Sequence, residues 1–218
     1  MARLLAGSVG MFKVGKQLFT AAGPEALRKL SALGAKIFLD LKYHDIPNTV
    51  AGAVRAAVAH PGVELVNVHA LGGRAMMEAA AKAMPRGAKR PKLLAVTILT
   101  SMDQRAMREV GIQGTPAQRA LKLARIARDC GVDGVVASAH EVRSIRKACG
   151  PSFVVCTQGI RPAGSDVHDQ KRIATPGEAI RNGATYVGVG RAITQAADPV
   201  AAAAAIVAEI ANALRRQN

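Results

Sequence analysis

Short β-prone runs and amphipathic helical blocks alternate along this 218-residue chain, and that alternation limits its fold more than any other feature. Strands are expected over 9–14, 36–41, 65–69, 93–97, 134–137, 153–157 and 186–190. Helices are expected over 24–33, 46–59, 73–84, 115–130, 139–149, 176–182 and 199–215, with a long loop over 159–172. Glycine and proline punctuate the blocks, as at Gly34, Pro61-Gly62, Gly131 and Gly150-Pro151. Such alternation implies a parallel sheet with crossover helices. A doubly wound open sheet explains the alternation as well as a barrel does. The strand ends favour the barrel, because Lys13, Asp40, Lys42, His69, Thr97, Thr100, Gln158, Gly190 and Arg191 stand at or just past them. A (β/α)8 TIM-type barrel builds its site from the carboxyl ends of successive strands. No linker or low-complexity break divides residues 1–218, so a single domain is expected.

Half of the residues are apolar, enough for a core, but only 3% are aromatic and none is Trp. The core must therefore come from Val, Ile, Leu, Ala and Met. Cys130, Cys149 and Cys156 are odd in number and lack metal-type spacing, which fits reduced thiols in a cytoplasmic protein. The alanine-rich run 200–208 is too short to span a bilayer, and no targeting segment stands out, so no membrane partner is expected. The net charge of +15 suggests an anionic partner. Most of it is dispersed. The one acid-free basic run, 82–92, lacks the interleaved aromatics of a base-stacking surface and reads as a solvated loop rather than a nucleic-acid site.

The densest chemistry lies in FLDLKYHDIPNT, 38–49. On a regular strand Asp40 and Lys42 share a face, roughly 7 Å apart. Asp45 follows in a strand-to-helix turn. Three ionisable groups of mixed sign thus meet at a strand's carboxyl end. A plain reading stays open: Asp45 caps the next helix ahead of Pro47, and Asp40 and Lys42 form an ordinary ion pair. Farther along, Gly159-Ile160-Arg161-Pro162 follows one late strand and Gly190-Arg191 ends the last. Barrels often hold phosphate there. Arg191 offers a fork of donors, Gly190 permits close backbone approach, and Gln170 lies in the long loop.

Taken together, FKVGK, LDLKYHDIPNT, VNVHA, AVTILTSM, GIRP with DQKRI, and VGVGR resemble the bacterial orotidine 5′-phosphate decarboxylases in order and approximate spacing, over essentially the whole chain. The resemblance implies a metal-free, cofactor-free decarboxylation of orotidine 5′-phosphate to UMP. It implies a catalytic tetrad of Lys13, Asp40, Lys42 and Asp45, with Lys42 protonating C6 as CO2 leaves and Asp40 facing the substrate carboxylate. It further implies a homodimer in which Asp45 and Thr49 serve the neighbouring subunit's site. Thr100 would contact the pyrimidine. Arg161, Gln170, Gly190 and Arg191 would serve the phosphate and its closing loop.

The resemblance also implies a longer amino terminus. Family members begin with an apolar strand ending in a ribose-contacting Asp, then a helix. Only Met1 to Met11 precede FKVGK here, so a chain truncated at its amino end is expected, with seven strands, two unpaired edges and a ribose contact missing. An inactive truncated fragment is accordingly one alternative. A second is a Mg2+-dependent sugar-phosphate decarboxylase of the same barrel group, which carries an acidic metal ligand where this chain has Lys13. A third is a basic nucleic-acid-binding protein.

Overall fold

The computed structural model describes residues 1–161 and 174–215. It resolves into two compact units, residues 1–96 with 126–134, and residues 97–125 with 135–218. Among the described residues seven strands alternate with helices, as an α/β barrel pattern requires.

The first unit carries β1 (Phe12–Gly15), α1 (Lys16–Ala22), α2 (Pro24–Ser31), β2 (Ile37–Tyr43), α3 (Pro47–Val58), β3 (Val63–His69), α4 (Gly73–Lys82) and β4 (Lys92–Val96). Its strands are parallel and adjacent in chain order: Gly15 lies beside Asp40, Leu39 beside Val66, and His69 beside Val96. No strand precedes β1 among the described residues. Residues 1–8 form turns closed by Leu5 N–H to the Met1 carbonyl and Ser8 N–H to the Leu5 carbonyl, each 3.0 Å.

Helix α3 shows why the pattern was readable. Pro47 opens it, and Val50, Ala51, Val54 and Ala57 fall on one buried face. Helix α4 buries Met76, Met77 and Ala80 in the same way. The turn into β3 requires glycine at Gly62: its φ is 78°, and a Cβ there would meet the Ala35 carbonyl oxygen at 2.9 Å. Where the sequence suggested a wholly solvated basic loop, Arg90 makes a bidentate bond to Asp133 at 2.7 and 2.8 Å. Asp133 also accepts the Leu93 N–H at 2.8 Å, so part of the basic run fixes the start of β4.

The second unit carries α5 (Gln104–Glu109), most of α6 (Pro116–Asp129), β5 (Gly134–Ser138), α7 (Val142–Cys149), β6 (Val154–Gln158), α8 (Pro176–Arg181), β7 (Tyr186–Val187), α9 (Arg191–Thr194) and α10 (Pro199–Arg215). Ile98, Met107 and Ala120 form one buried cluster, and Ala139, Ile160 and Ala179 another. Strands β6 and β7 pair in parallel over only two residues each. Arg146 compensates for so short a ladder. Its guanidinium donates to the carbonyls of Gly150, Pro151, Phe153 and Gly183 and to Thr185 Oγ1, joining the approaches to both strands. Thr175 and Glu178 form a reciprocal cap on α8. Cys130 and Cys156 are buried and Cys149 is half-buried. Among the described residues no helix is long and apolar enough to cross a membrane.

Candidate active site

Strand β2 does not run regularly through its polar end. Its partner register passes from Leu39 beside Val66 to Tyr43 beside Val68, so β2 advances four residues while β3 advances two. This is a bulge with two extra residues. Lys42 sits in it at φ 52°, and no other non-glycine residue among those described has a positive φ. A left-handed conformation costs a residue with a Cβ roughly 1–2 kcal/mol, so something must hold it. Asn67, fully buried on β3, accepts the Lys42 backbone N–H on Oδ1 at 2.7 Å.

The bulge brings the Lys42 ammonium back onto Asp40, Nζ to Oδ1, at 2.6 Å. The Asn67 side chain donates to that same oxygen at 2.7 Å. From β1, Lys13 Nζ lies 3.2 Å from Asp40 Oδ2. Gly15 leaves room for that approach: a Cβ at this position would lie 3.1 Å from Lys13 Nζ, so the lysine end would have to shift slightly. Asp40 itself is buried, at 1% exposure. Burial alone would raise its carboxyl pKa, but Lys42 and Lys13, with the hydrogen bonds from Lys42 and Asn67, overcome it and hold it below the usual value. A carboxylate held in its ionised form at neutral pH thus sits between two ammonium groups, one on each oxygen.

Beside this array the rings of His44 and His69 stack, with centroids 5.3 Å apart. His69 Nδ1 accepts the Leu71 N–H at 3.3 Å. Burial, then the nearby charges of His44, Lys16 and Lys42, lower its pKa to about 4, so His69 is neutral at neutral pH.

Asp45 stands apart from the other three. Its carboxylate accepts the Ile46 N–H at 2.6 Å at the head of α3, and among the described residues no ion pair joins it to a cation of its own chain. The whole turn from His44 to Thr49 is exposed, including Ile46 at 66%.

The remaining candidates lie in the second unit. Thr100 follows β4 in a turn, and the neighbouring Thr97 is buried, with Oγ1 donating to the Val136 carbonyl. Arg161 is buried. Its Nη1 donates to the Ile160 carbonyl and its backbone N–H to that of Ala174. Gly190 precedes the four-residue α9, which Arg191 begins. Gln170 lies outside the described residues.

Sequence reasoning passed over Asn67 and Gly15. The available signal for Asn67 was an amide between the apolar Val66 and Val68 of a buried stretch, where a polar side chain must have partners.

A model of the orotidine 5′-phosphate decarboxylase / HUMPS family matches residues 1–206. The orotidine 5′-phosphate decarboxylase of Moorella thermoacetica is 56% identical over 207 residues, covering 92% of this chain and 82% of the relative. That of Pelobacter propionicus is 54% identical, covering 96% and 88%. Among solved structures, orotidine 5′-phosphate decarboxylase from Lactobacillus acidophilus superimposes with a TM-score of 0.79 at 42% identity, over 91% of this chain and 85% of that one. The enzyme from Pyrococcus horikoshii gives 0.76 at 26% identity, over 96% and 91%. These matches fix the TIM-type barrel class, and the chain belongs to the orotidine 5′-phosphate decarboxylase / HUMPS family.

Proposed function

We propose that this protein decarboxylates orotidine 5′-phosphate to UMP, the closing step of pyrimidine nucleotide synthesis, without a metal or organic cofactor. The observation that carries the reading is the buried Asp40 carboxylate with an ammonium on each oxygen. When the bond between C6 and the carboxylate breaks, CO2 leaves and the electron pair stays on C6. A fixed ammonium stabilises that charge and then gives it a proton. Lys42 is the proton donor in this scheme. Its own proton is afterwards restored from solvent. Asp40, held ionised, faces the substrate carboxylate and keeps both lysines in position.

Lys13 also bears on the alternative chemistry. An ammonium 3.2 Å from Asp40 repels a divalent cation from that carboxylate, which disfavours the Mg2+-dependent sugar-phosphate reading.

Phosphate binding falls to Arg191 and Gly190, with Arg161 and Gln170 in support, and Thr100 meets the pyrimidine. Energy from gripping the distant phosphate is then usable at the reacting carbon. The exposed turn bearing Asp45, Ile46 and Thr49 supports a homodimer in which Asp45 and Thr49 complete the partner's site. Asp45 makes no ion pair with a cation of its own chain among the described residues, as a residue serving a second subunit would not. The reading is cytoplasmic, with no nucleic-acid or membrane partner.

The test is the loss of orotidine 5′-phosphate absorbance with purified protein in the presence of a chelator. Turnover that survives the chelator is the expected result. No turnover, or turnover only with added Mg2+, overturns the reading.

A further inference from the structure

Strand β3 contributes one polar side chain to the buried face of the array, and it belongs to none of the charged groups discussed above. Asn67 has no exposed surface, yet it bonds in two directions. Its Oδ1 takes the Lys42 backbone N–H at 2.7 Å, and its Nδ2 gives a hydrogen bond to Asp40 Oδ1 at 2.7 Å. Only one orientation of the amide serves both partners. Flipped, it would set its carbonyl against a carboxylate and its NH2 against an N–H.

Each bond answers a different need. The bulge in β2 takes Lys42 out of the β3 ladder, so its half-buried N–H is left to a side-chain acceptor. Asp40 Oδ1 must also be directed, because it receives the Lys42 ammonium at 2.6 Å. An amide has a donor and an acceptor about one bond angle apart, which a carboxylate, a hydroxyl or an aliphatic chain of similar size does not reproduce.

We infer that Asn67 is a positioning residue for decarboxylation: by bridging the Lys42 backbone and the Asp40 carboxylate it fixes the ammonium of Lys42 relative to Asp40. The inference rests on the decarboxylase reading. Asn67 touches neither substrate nor the transferred proton. It acts through the two groups that do. Of the groups that face Asp40, Lys13 comes from β1, Lys42 from β2 and Asn67 from β3.

The test uses the full chain with Asn67→Ser and Asn67→Leu. The measurements are kcat and KM for orotidine 5′-phosphate across pH, UMP affinity and thermal melting. A displaced proton donor predicts that kcat falls by roughly ten- to a hundred-fold, while UMP affinity changes much less. The acid limb of kcat/KM should also move to higher pH, because Asp40 has lost a bond that favours its charged form. A residue that merely fills the core would lower the melting temperature and leave that limb in place. A folded variant with unchanged kcat and an unmoved acid limb overturns the inference.

Should neither variant fold, the wild-type protein still decides the matter. The Asn67 side-chain NH2 resonances are expected to titrate with the Asp40 carboxyl, and their indifference to that titration refutes the bridge. Wild-type activity is measured first. An inactive wild type tells against the decarboxylase reading, whereas an active wild type with indifferent Asn67 variants tells against Asn67.

Discussion

His44 and His69 stack with their ring centroids 5.3 Å apart and an interplanar angle of 18°. The pair packs only while at least one ring is neutral, and the environment of His69 ensures that, with a pKa lowered to about 4. The unfolded chain takes up a proton at the ordinary imidazole value of 6.5, before the folded protein does. Folding stability should therefore be level above pH 6.5 and fall as pH drops from 6.5 towards 4. Asp40 acts outside this window: its lowered pKa contributes stability that is lost only below the ordinary 3.8. Replacing His69→Gln should flatten the decline between pH 6.5 and 4, read as denaturant midpoints across pH. An identical decline in the variant would show that His69 is not its source.

Lys42→Ala should remove the proton donor while leaving nucleotide binding measurable. The rate loss should be at least the roughly 10²–10⁴-fold that a positioned proton transfer supplies. Stopped assays for UMP formation and calorimetry with UMP read the two properties separately. Near wild-type kcat in the variant would exclude Lys42 from that role.

Arg191→Ala should weaken the grip on phosphate by about 1.5–3 kcal/mol, the range for losing a charged hydrogen-bonding partner, and kcat/KM should fall accordingly. Orotidine without its phosphate should be almost indifferent to the change. An equal loss on both substrates would mean that Arg191 serves something other than phosphate.

Subunit mixing tests the sharing of Asp45. In a dimer of Lys42→Ala with Asp45→Ala, one site carries both lesions and the other neither. Random exchange makes about half of the dimers mixed, each with one of two sites intact, so roughly a quarter of wild-type activity should return. Verified exchange without recovery would place each site within a single chain.

The sequence exposed the strand ends because parallel strands in such folds are continuous apolar runs that stop abruptly at polar residues. Lys13, Asp40 and Lys42 were visible for that reason, and the first unit brings them within hydrogen-bonding or ion-pair distance. Three helices were missed for an equally physical cause. Helix α1 has seven residues, none of them buried, while α5 has six and α9 four, so each is too short to display a helical period. Asp103 did announce α5, since its side chain accepts the Ala106 N–H as an N-cap, but a lone Asp in a loop is a weak signal. Strand β7 is shorter than its apolar run suggested, ending at Val187 before Gly188 and Gly190. The bulge at Lys42 left no local trace, because a left-handed lysine is imposed by partners on a neighbouring strand and not by its own propensity.

That left-handed lysine has a consequence for anyone wishing to graft the array onto another barrel. Copying Asp-x-Lys onto a regular strand would deliver the two side chains, roughly 7 Å apart along its axis, but not the bulged backbone that sets the ammonium on the carboxylate here. The portable module is larger. It comprises the two-residue insertion in β2, the amide at Asn67 that captures the displaced N–H, and the vacant Cβ position at Gly15 that admits Lys13. A graft of the charges alone would lack the backbone and the amide that organise them.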